Sequence, residues 1–208
     1  MDSVSERFAD RELLMRLLNE YNEHPGERER ISKEIGERFG RRIAVLVLDS
    51  SGFTRTVQEG GIIPFLALLE RLQRLVRPAI ERTGGQILKT EADNVFAVYD
   101  SAEAAVGGAE EIRSHLRTVN DALPGDEEIY VSIAIGFGEL LLVGAEDVFG
   151  DEMNLACKLG EDLAQRDEIL LTPAAHEAVG ATNRAFDELR FSVSGVELPA
   201  YRLAADPS

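Results

Sequence analysis

Two aspartates stand where apolar segments of the sequence end. Asp49 directly follows the apolar run 43–48, and Asp93 lies in a turn between two further apolar runs. Burying a carboxylate at the end of a strand costs free energy unless a cation receives its charge. If the two strands are neighbours, the side chains supply the hard oxygen ligands that a divalent metal ion prefers.

The segment after Asp49 has a feature suited to phosphate binding. It reads Ser-Ser-Gly-Phe-Thr over residues 50–54, and a turn containing Gly52 can direct backbone N–H groups at phosphate oxygens. Together with the two carboxylates, this segment predicts a metal–nucleotide site. Taken singly, each residue also has a structural explanation, because aspartate and glycine are common in turns and at helix caps.

Composition narrows the classes of partner. The chain has 208 residues and a formal net charge of −16, which argues against nucleic acid or an anionic membrane as the main partner, since both require a basic face. A single cysteine, Cys157, excludes an intrachain disulfide framework and fits a reducing compartment. No apolar run has the length of a membrane span, and the first residues are acidic, so we expect a cytoplasmic protein.

The apolar periodicity and the turn signals predict an ordered series of elements that would position these residues. From residue 43 the order is strand, helix, two strands in a hairpin, helix and strand, which is the β-α-β-β-α-β pattern of ferredoxin-like cores. We therefore predict an α+β fold with an extra C-terminal hairpin, as a domain over 43–208 preceded by a helical extension over 1–42. The predicted helices are 4–21, 31–39, 62–82, 101–120, one opening at 150–151, and 173–179; the predicted strands are 43–48, 86–99 as a hairpin, 129–137, 140–143, 168–171, 186–193 and 198–203.

Three blocks of sequence together resemble the catalytic domain of the class III nucleotidyl cyclases, the adenylate and guanylate cyclases, in their compact bacterial form. The first is the strand with Asp49-x-x-Gly52-Phe53-Thr54, the second is Lys89-Thr90-Glu91-Ala92-Asp93, and the third runs from Asp147-Val148-Phe149-Gly150 to Asn154-Leu155-Ala156-Cys157-Lys158. The spacing inside each block and the order of the blocks are those of the family. Alanine at position 92 stands where the family has glycine, and lysine at position 158 stands where it has arginine.

The resemblance implies roles for the first two blocks. Asp49 and Asp93 would hold two Mg²⁺ or Mn²⁺ ions, and Gly52, Phe53 and Thr54 would present backbone N–H groups to the phosphates of the substrate. The metal ions would acidify the ribose 3′-hydroxyl and neutralise the triphosphate.

The remaining roles concern the purine, the ribose and the α-phosphate. The resemblance places Lys89 and Asp147 at the purine-reading positions, where this pair favours ATP over GTP. Asn154 would position the ribose, and Lys158 would stabilise charge on the α-phosphate.

In this family the metal aspartates and the purine-reading residues come from opposite subunits, so the resemblance implies a homodimer with two shared sites. The expected activity is conversion of ATP to cyclic AMP and pyrophosphate. Two alternatives stay open: an ATP-binding regulatory module with weak or no turnover, and a cyclase for another nucleotide. The helical extension is either a cap on the core or a helix that docks a second subunit or a regulatory partner.

Overall fold

The computed structural model describes residues 4–51, 61–124, 127–193 and 196–204. The helices in these ranges are α1 Val4–Glu23, α2 Arg28–Phe39, α3 Ile62–Arg82, α4 Ala102–Asn120, α5 Asp151–Cys157 and α6 Pro173–Val179. The strands are β1 Gly40–Ser51, β2 Gln86–Glu91, β3 Asn94–Tyr99, β4 Tyr130–Val143, β5 Asp147–Phe149, β6 Ile169–Leu171, β7 Phe186–Val193 and β8 Val196–Leu203. A 3₁₀ turn joins α1 to α2, and a π-helical segment, Lys158–Leu163, continues α5.

The strands form one sheet in the order β2-β3-β1-β4-β6-β8-β7, with β5 paired to β4. Strand β1 is antiparallel to both β3 and β4, and the first four strands with α3 and α4 make the predicted ferredoxin-like unit. The α+β fold class is therefore confirmed. The C-terminal hairpin of β7 and β8 extends the sheet through β6.

Alternation along β1 separates two apolar layers. Residues 44, 46 and 48 face a layer built with α3, α4 and α6, whereas Val45 and Val47 face α5 and the π-helical segment. Asp49 continues the row of Val45 and Val47, because it pairs with Ser132 of β4, whose hydroxyl donates to the carbonyl of Gly160 in the π-helical segment at 2.9 Å. The metal-site candidate Asp49 therefore lies on the α5 side of the sheet.

The prediction of two separate strands at 129–137 and 140–143 was wrong. They form the single strand β4, which pairs with β1 without a break from Tyr130 to Leu141. The glycines that suggested a turn serve helix packing instead, because a Cβ on Gly136 would lie 2.5 Å from the carbonyl oxygen of Glu152 in α5. Strand β1 is also longer than predicted and runs past Asp49 to Ser51.

The N-terminal helices pack on one end of β4. A small apolar cluster joins α1 and α2 to this strand, and its buried members are Leu14, Leu17, Ile31, Ile35, Phe39 and Val143. An ion pair between Arg38 and Asp10, at 2.9 Å, also connects the two helices. None of the helices in the described ranges has both the length and the apolarity needed to cross a bilayer.

Candidate active site

The register of the sheet brings Asp49 and Asp93 to the same end of neighbouring strands. Leu48 of β1 pairs with Val95 of β3, and Asp93 lies in the two-residue turn that connects β2 to β3. The Ser50 hydroxyl donates a hydrogen bond to the Asp93 carboxylate at 3.1 Å. Two carboxylates that are distant in sequence therefore share one edge of the molecule.

The electrostatics of Asp49 show that this edge lacks positive charge. Burial, followed by the charges of Asp93 and Glu161, raises the pKa of the Asp49 carboxyl from 3.8 to about 6, although the backbone N–H of Ser50 acts in the opposite direction. A cation placed between the two aspartates would offset the repulsion between their carboxylates and would lower the pKa of Asp49. Within the described residues there is no group of three or more acidic, histidine or cysteine side chains that could hold a metal ion.

These two observations fit a particular kind of metal site. Mg²⁺ commonly binds through one or two carboxylates and completes its coordination with water and the phosphates of a substrate. Asp49 and Asp93 match that donor set, and a metal ion bound between them would neutralise their charge. The phosphate-binding candidates Gly52, Phe53 and Thr54 lie outside the described residues.

The turn that carries Asp93 has a backbone conformation that one of its own residues, Ala92, does not favour. Ala92 has a φ of +51°, a left-handed conformation that costs an L-residue with a Cβ about 1–2 kcal/mol. Glycine, which occupies this position in the resembled motif, adopts the conformation without that cost. Strand pairing on both sides, from Glu91 to Asn94, holds the turn in place.

Lys89 and Asp147 meet although 58 residues separate them. The Lys89 ammonium lies 3.4 Å from the Asp147 carboxylate and 2.9 Å from that of Glu91, and it also stands 5.3 Å from the centre of the Phe96 ring. The contacts with Glu91 and Asp147 raise the pKa of Lys89, the hydrogen bond with Glu91 being the larger cause. The structure thus places a donor and an acceptor side by side, as the reading of a base edge requires.

Arg11 of α1 is a neighbour of this pair that the sequence did not indicate. Its guanidinium lies 3.8 Å from the second carboxylate oxygen of Asp147. Arg11 is 64% exposed, so the contact is weak by itself. The contact nevertheless shows that the N-terminal extension reaches the neighbourhood of Asp147.

Asn154 and Lys158 lie one helical turn apart at the end of α5. Asn154 is exposed, and the Lys158 ammonium donates to the Asp162 carboxylate at 2.5 Å. Met153, Ala156 and Leu159 form the buried side of the same segment. Sequence reasoning missed the contact of Lys158 with Asp162, although the i, i+4 spacing of the two residues could have revealed it.

The π-helical segment fixes these residues relative to β1. A Cβ on Gly160 would meet both the Ala134 side chain and the Val47 carbonyl at 3.3 Å, so only glycine allows this approach without adjustment. No hydrogen bond or ion pair within the described residues joins Asp49 or Asp93 to Asn154 or Lys158. Asn94, the neighbour of Asp93, nevertheless donates to the Glu161 carboxylate of the π-helical segment at 3.3 Å.

Comparison with known proteins places this arrangement among nucleotide cyclases. No protein-family model matches the sequence. A curated relative, an adenylate cyclase of Streptomyces coelicolor, is 31% identical over 182 residues. The match covers 82% of this chain and 45% of the relative, so the chain spans less than half the length of that protein.

Solved structures show the same fold. An adenylate/guanylate cyclase/hydrolase from Silicibacter pomeroyi aligns with a TM-score of 0.69 and 27% identity, over 80% of this chain and 98% of that one. An adenylyl cyclase from P. aeruginosa aligns with a TM-score of 0.68 and 19% identity, over 81% of this chain and 97% of that one. The second comparison, given its low identity, concerns the fold alone.

The strained turn gives a stability prediction. Ala92→Gly should raise the free energy of unfolding by about 1 kcal/mol, because the relieved left-handed strain exceeds the extra flexibility that glycine gives the unfolded chain. Urea unfolding followed by circular dichroism measures the change. Ala122→Gly is the matched control, since Ala122 is exposed and has no positive φ; this variant should be no more stable than wild type. An Ala92→Gly protein less stable than wild type would contradict the assignment of strain.

The raised pKa of Asp49 gives a pH prediction for the metal-free protein. The folded chain keeps this carboxyl protonated up to about pH 6, whereas the ordinary pKa is 3.8. Because the folded state binds the extra proton, this group makes the protein less stable as the pH rises through that window. Asp49→Asn should therefore melt at a higher temperature than wild type at pH 7.5 in EDTA, and the advantage should vanish near pH 4. An advantage of equal size at both pH values would show that charge at Asp49 is not its cause.

Proposed function

Since the chain carries a class III nucleotidyl cyclase domain, we propose that it converts ATP to 3′,5′-cyclic AMP and pyrophosphate at sites shared by two subunits of a homodimer. The preference for ATP is supported chiefly by one observation, the contact of Lys89 with Asp147 at 3.4 Å. This contact forms in the chain alone, so the pair needs little rearrangement to receive a base.

The chemistry of the pair matches adenine. The Lys89 ammonium can donate to the ring nitrogen N1, and the Asp147 carboxylate can accept from the 6-amino group. Guanine presents an oxygen acceptor where adenine has that amino group. The Asp147 carboxylate and the guanine oxygen would then both be acceptors, and no hydrogen bond could form between them. Burial of an unpaired acceptor is costly, and discrimination against GTP follows.

In the proposed site Asp49 and Asp93 of one subunit hold two Mg²⁺ or Mn²⁺ ions. Such ions, when bound, acidify the ribose 3′-hydroxyl and neutralise charge on the phosphates. The backbone N–H groups of Gly52, Phe53 and Thr54 bind the phosphates in the same subunit. The metal ions are needed to attract the triphosphate to this end of the sheet, because the described carboxylates there repel it.

The partner subunit supplies the other half of each site. Its Lys89 and Asp147 read the base, its Asn154 orients the ribose, and its Lys158 stabilises the charge that grows on the α-phosphate as the ring closes. This division is supported by the absence of any hydrogen bond or ion pair between the two sets across the described parts of one chain. Two-fold symmetry of a dimer then creates two equivalent sites.

The N-terminal helices offer a route for regulation, and we include a regulatory partner docked on them in the proposal. Arg11 approaches the base-reading Asp147, and the same helix packs on the end of β4 through Leu14 and Leu17. A partner that shifts α1 would change the charge beside Asp147. Such a partner would thereby alter the affinity for ATP without touching the metal aspartates.

One observation favours a second candidate, an ATP-binding module with little turnover. Lys158 is engaged by Asp162 in the free chain, and lysine lacks the planar fork with which arginine binds two phosphate oxygens at once. The two side chains are, however, 40% and 54% exposed, and an exposed i, i+4 pair contributes only about 0.3–0.5 kcal/mol. A phosphate group can displace Asp162 at that cost, so slow turnover is the better expectation.

The proposal is tested by incubating the protein with Mn²⁺ and each of ATP, GTP, CTP and UTP, and by identifying the products by mass. We expect cyclic AMP from ATP as the main product and none from Asp49→Ala, because that variant loses a metal ligand. Binding of a non-hydrolysable ATP analogue without any cyclic product would favour the binding module. A cyclic product from GTP in preference to ATP would refute the role given to Lys89 and Asp147.

Mixed subunits test the shared site. Asp93→Ala and Asn154→Ala chains should each be inactive alone, and their mixture should recover about a quarter of wild-type activity, since half of the randomly assorted dimers have one intact site. A mixture of Asp93→Ala with Asp49→Ala is the matched control and should stay inactive, because both changes affect the same half of each site. Equal activity of the two mixtures, after demonstrated subunit exchange, would argue against sites divided in this way.

Variants at position 158 test the role of the lysine. Loss of a preorganised donor costs about 10²–10³ in rate, so Lys158→Ala should lower kcat by up to that amount. Lys158→Arg should keep or raise kcat. Lys33→Ala is the control, since it breaks a comparable i, i+4 pair, that with Glu37, in the N-terminal extension. Equal kcat values in wild type, Lys158→Ala and Lys158→Arg would place Lys158 outside the site.

A further inference from the structure

In the proposed site, few cationic side chains are available to neutralise the charge of the triphosphate. Asp49, Asp93 and Glu161 lie close enough for their charges to act on one another, and neither Ser194 nor Gly195, which follow β7 in the sequence, is basic. Apart from metal ions, Lys158 is the only cation so far assigned to the phosphates. We therefore searched the described residues for a further cation on the side of the sheet that carries Asp49.

The strand beside Asp49 leads to such a residue. Asp49 pairs with Ser132 of β4, and Tyr130 pairs with Ser51, the last described residue before the segment 52–54. Tyr130 and Ser132 are two residues apart on one strand, so their side chains lie on the same face, about 7 Å apart along the strand. Tyr130 thus marks the end of the sheet at which the proposed phosphate-binding segment begins.

Arg166 lies over the ring of Tyr130. Its guanidinium carbon is 3.9 Å from the ring centroid, within the range of a cation–π interaction. Stacking orients the guanidinium plane and leaves its N–H donors at the edges, where they can bind oxygen acceptors. The Arg166 side chain is exposed. None of the described carboxylates forms an ion pair with it, although the charge of the neighbouring Asp167 carboxylate acts on it at longer range.

The loop that carries Arg166 is held to the sheet. The backbone N–H of Asp167 donates to the carbonyl of Val131 at 2.8 Å, and that of Gln165 donates to the Glu168 side chain at 2.9 Å. Asp167 also has a φ of +64°, which fixes the direction of the loop at the next residue. The arginine is therefore presented from an anchored position, unlike a long side chain on an unrestrained surface.

We propose that Arg166 binds the triphosphate of the nucleotide whose metal ions are held by Asp49 and Asp93 of the same subunit. This inference rests on the proposed function and adds to it a substrate-binding residue outside the three motif blocks. Arg166 would act from the aspartate side of each site, whereas Lys158 acts from the partner subunit. The guanidinium suits this task because it can bind two phosphate oxygens at once.

A binding measurement tests the proposal without turnover. Calorimetry with inorganic tripolyphosphate and Mn²⁺ should show about tenfold weaker binding to Arg166→Ala than to wild type, the usual effect of losing one charge-assisted hydrogen bond, with partial recovery in Arg166→Lys. Arg190→Ala is the matched control, because Arg190 is an exposed arginine on β7 that pairs with Glu188. Equal affinities for wild type and Arg166→Ala would overturn the proposal.

Kinetics in mixed dimers test the side from which Arg166 acts. In the active mixture of Asp93→Ala and Asn154→Ala chains, the restored site takes its metal aspartates from the Asn154→Ala chain. Adding Arg166→Ala to that chain should raise the KM for ATP about tenfold, whereas adding it to the Asp93→Ala chain should leave KM unchanged. The reverse pattern would overturn the placement.

The two proposals can fail separately. If wild type makes no cyclic nucleotide while Arg166→Ala still weakens tripolyphosphate binding, the proposed activity fails and the phosphate site stands. If wild type makes cyclic AMP and Arg166→Ala changes neither the affinity for tripolyphosphate nor the KM, the activity stands and the role of Arg166 is refuted.

Discussion

The repulsion between Asp49 and Asp93 is the constraint on which the site depends. Backbone pairing of β1 with β3 holds the two carboxylates at one end of the sheet, and the buried layers on both faces of β1 hold that register. A shift of one residue would move Asp49 to the opposite face of the sheet. The packing of the core therefore holds the two carboxylates close together, and a cation bound between them would offset the charge that each contributes.

The same strand pairing fixes the short helix α5 and the π-helical segment relative to Asp49. The hydroxyl of Ser132 bonds to Gly160, and that glycine lets the π-helical segment lie directly on Val47 and Ala134. Single-turn π segments often occur at functional positions, and this one begins at Lys158. The helix is thereby fixed to the strand that carries Asp49, while Asn154 and Lys158 project from its exposed side, where a second subunit can reach them.

Sequence reasoning succeeded where one local pattern determined the answer. Apolar alternation and turn residues predicted the ferredoxin-like core. The helix predicted over 101–120 also begins where expected, and the Ser101 hydroxyl caps it by accepting from the Ala104 N–H. Sequence reasoning failed where contacts between distant parts of the chain determine the local structure. The glycines of β4 resemble a turn in the sequence, yet they accommodate α5. The approach of Arg11 to Asp147 depends on how a separate helix packs, and the stacking of Arg166 on Tyr130 depends on a loop anchor that no periodicity encodes.

The cationic side chains of the proposed site differ in whether a carboxylate must be displaced before they can bind substrate. Lys89 already bonds to Glu91 and Asp147, and Lys158 bonds to Asp162, so in the proposed site each would have to exchange or share a carboxylate to bind a nucleotide. Arg166 is held by an aromatic face, and its donors face no ion-pair partner among the described residues. In a chain of net charge −16, Arg166 is thus oriented by an aromatic ring and not by an ion pair, and the Asp167 carboxylate acts on it only at longer range. If the nucleotide binds as proposed, its triphosphate can therefore contact Arg166 without displacing an ion-pair partner, whereas contact with Lys158 requires exchange with Asp162.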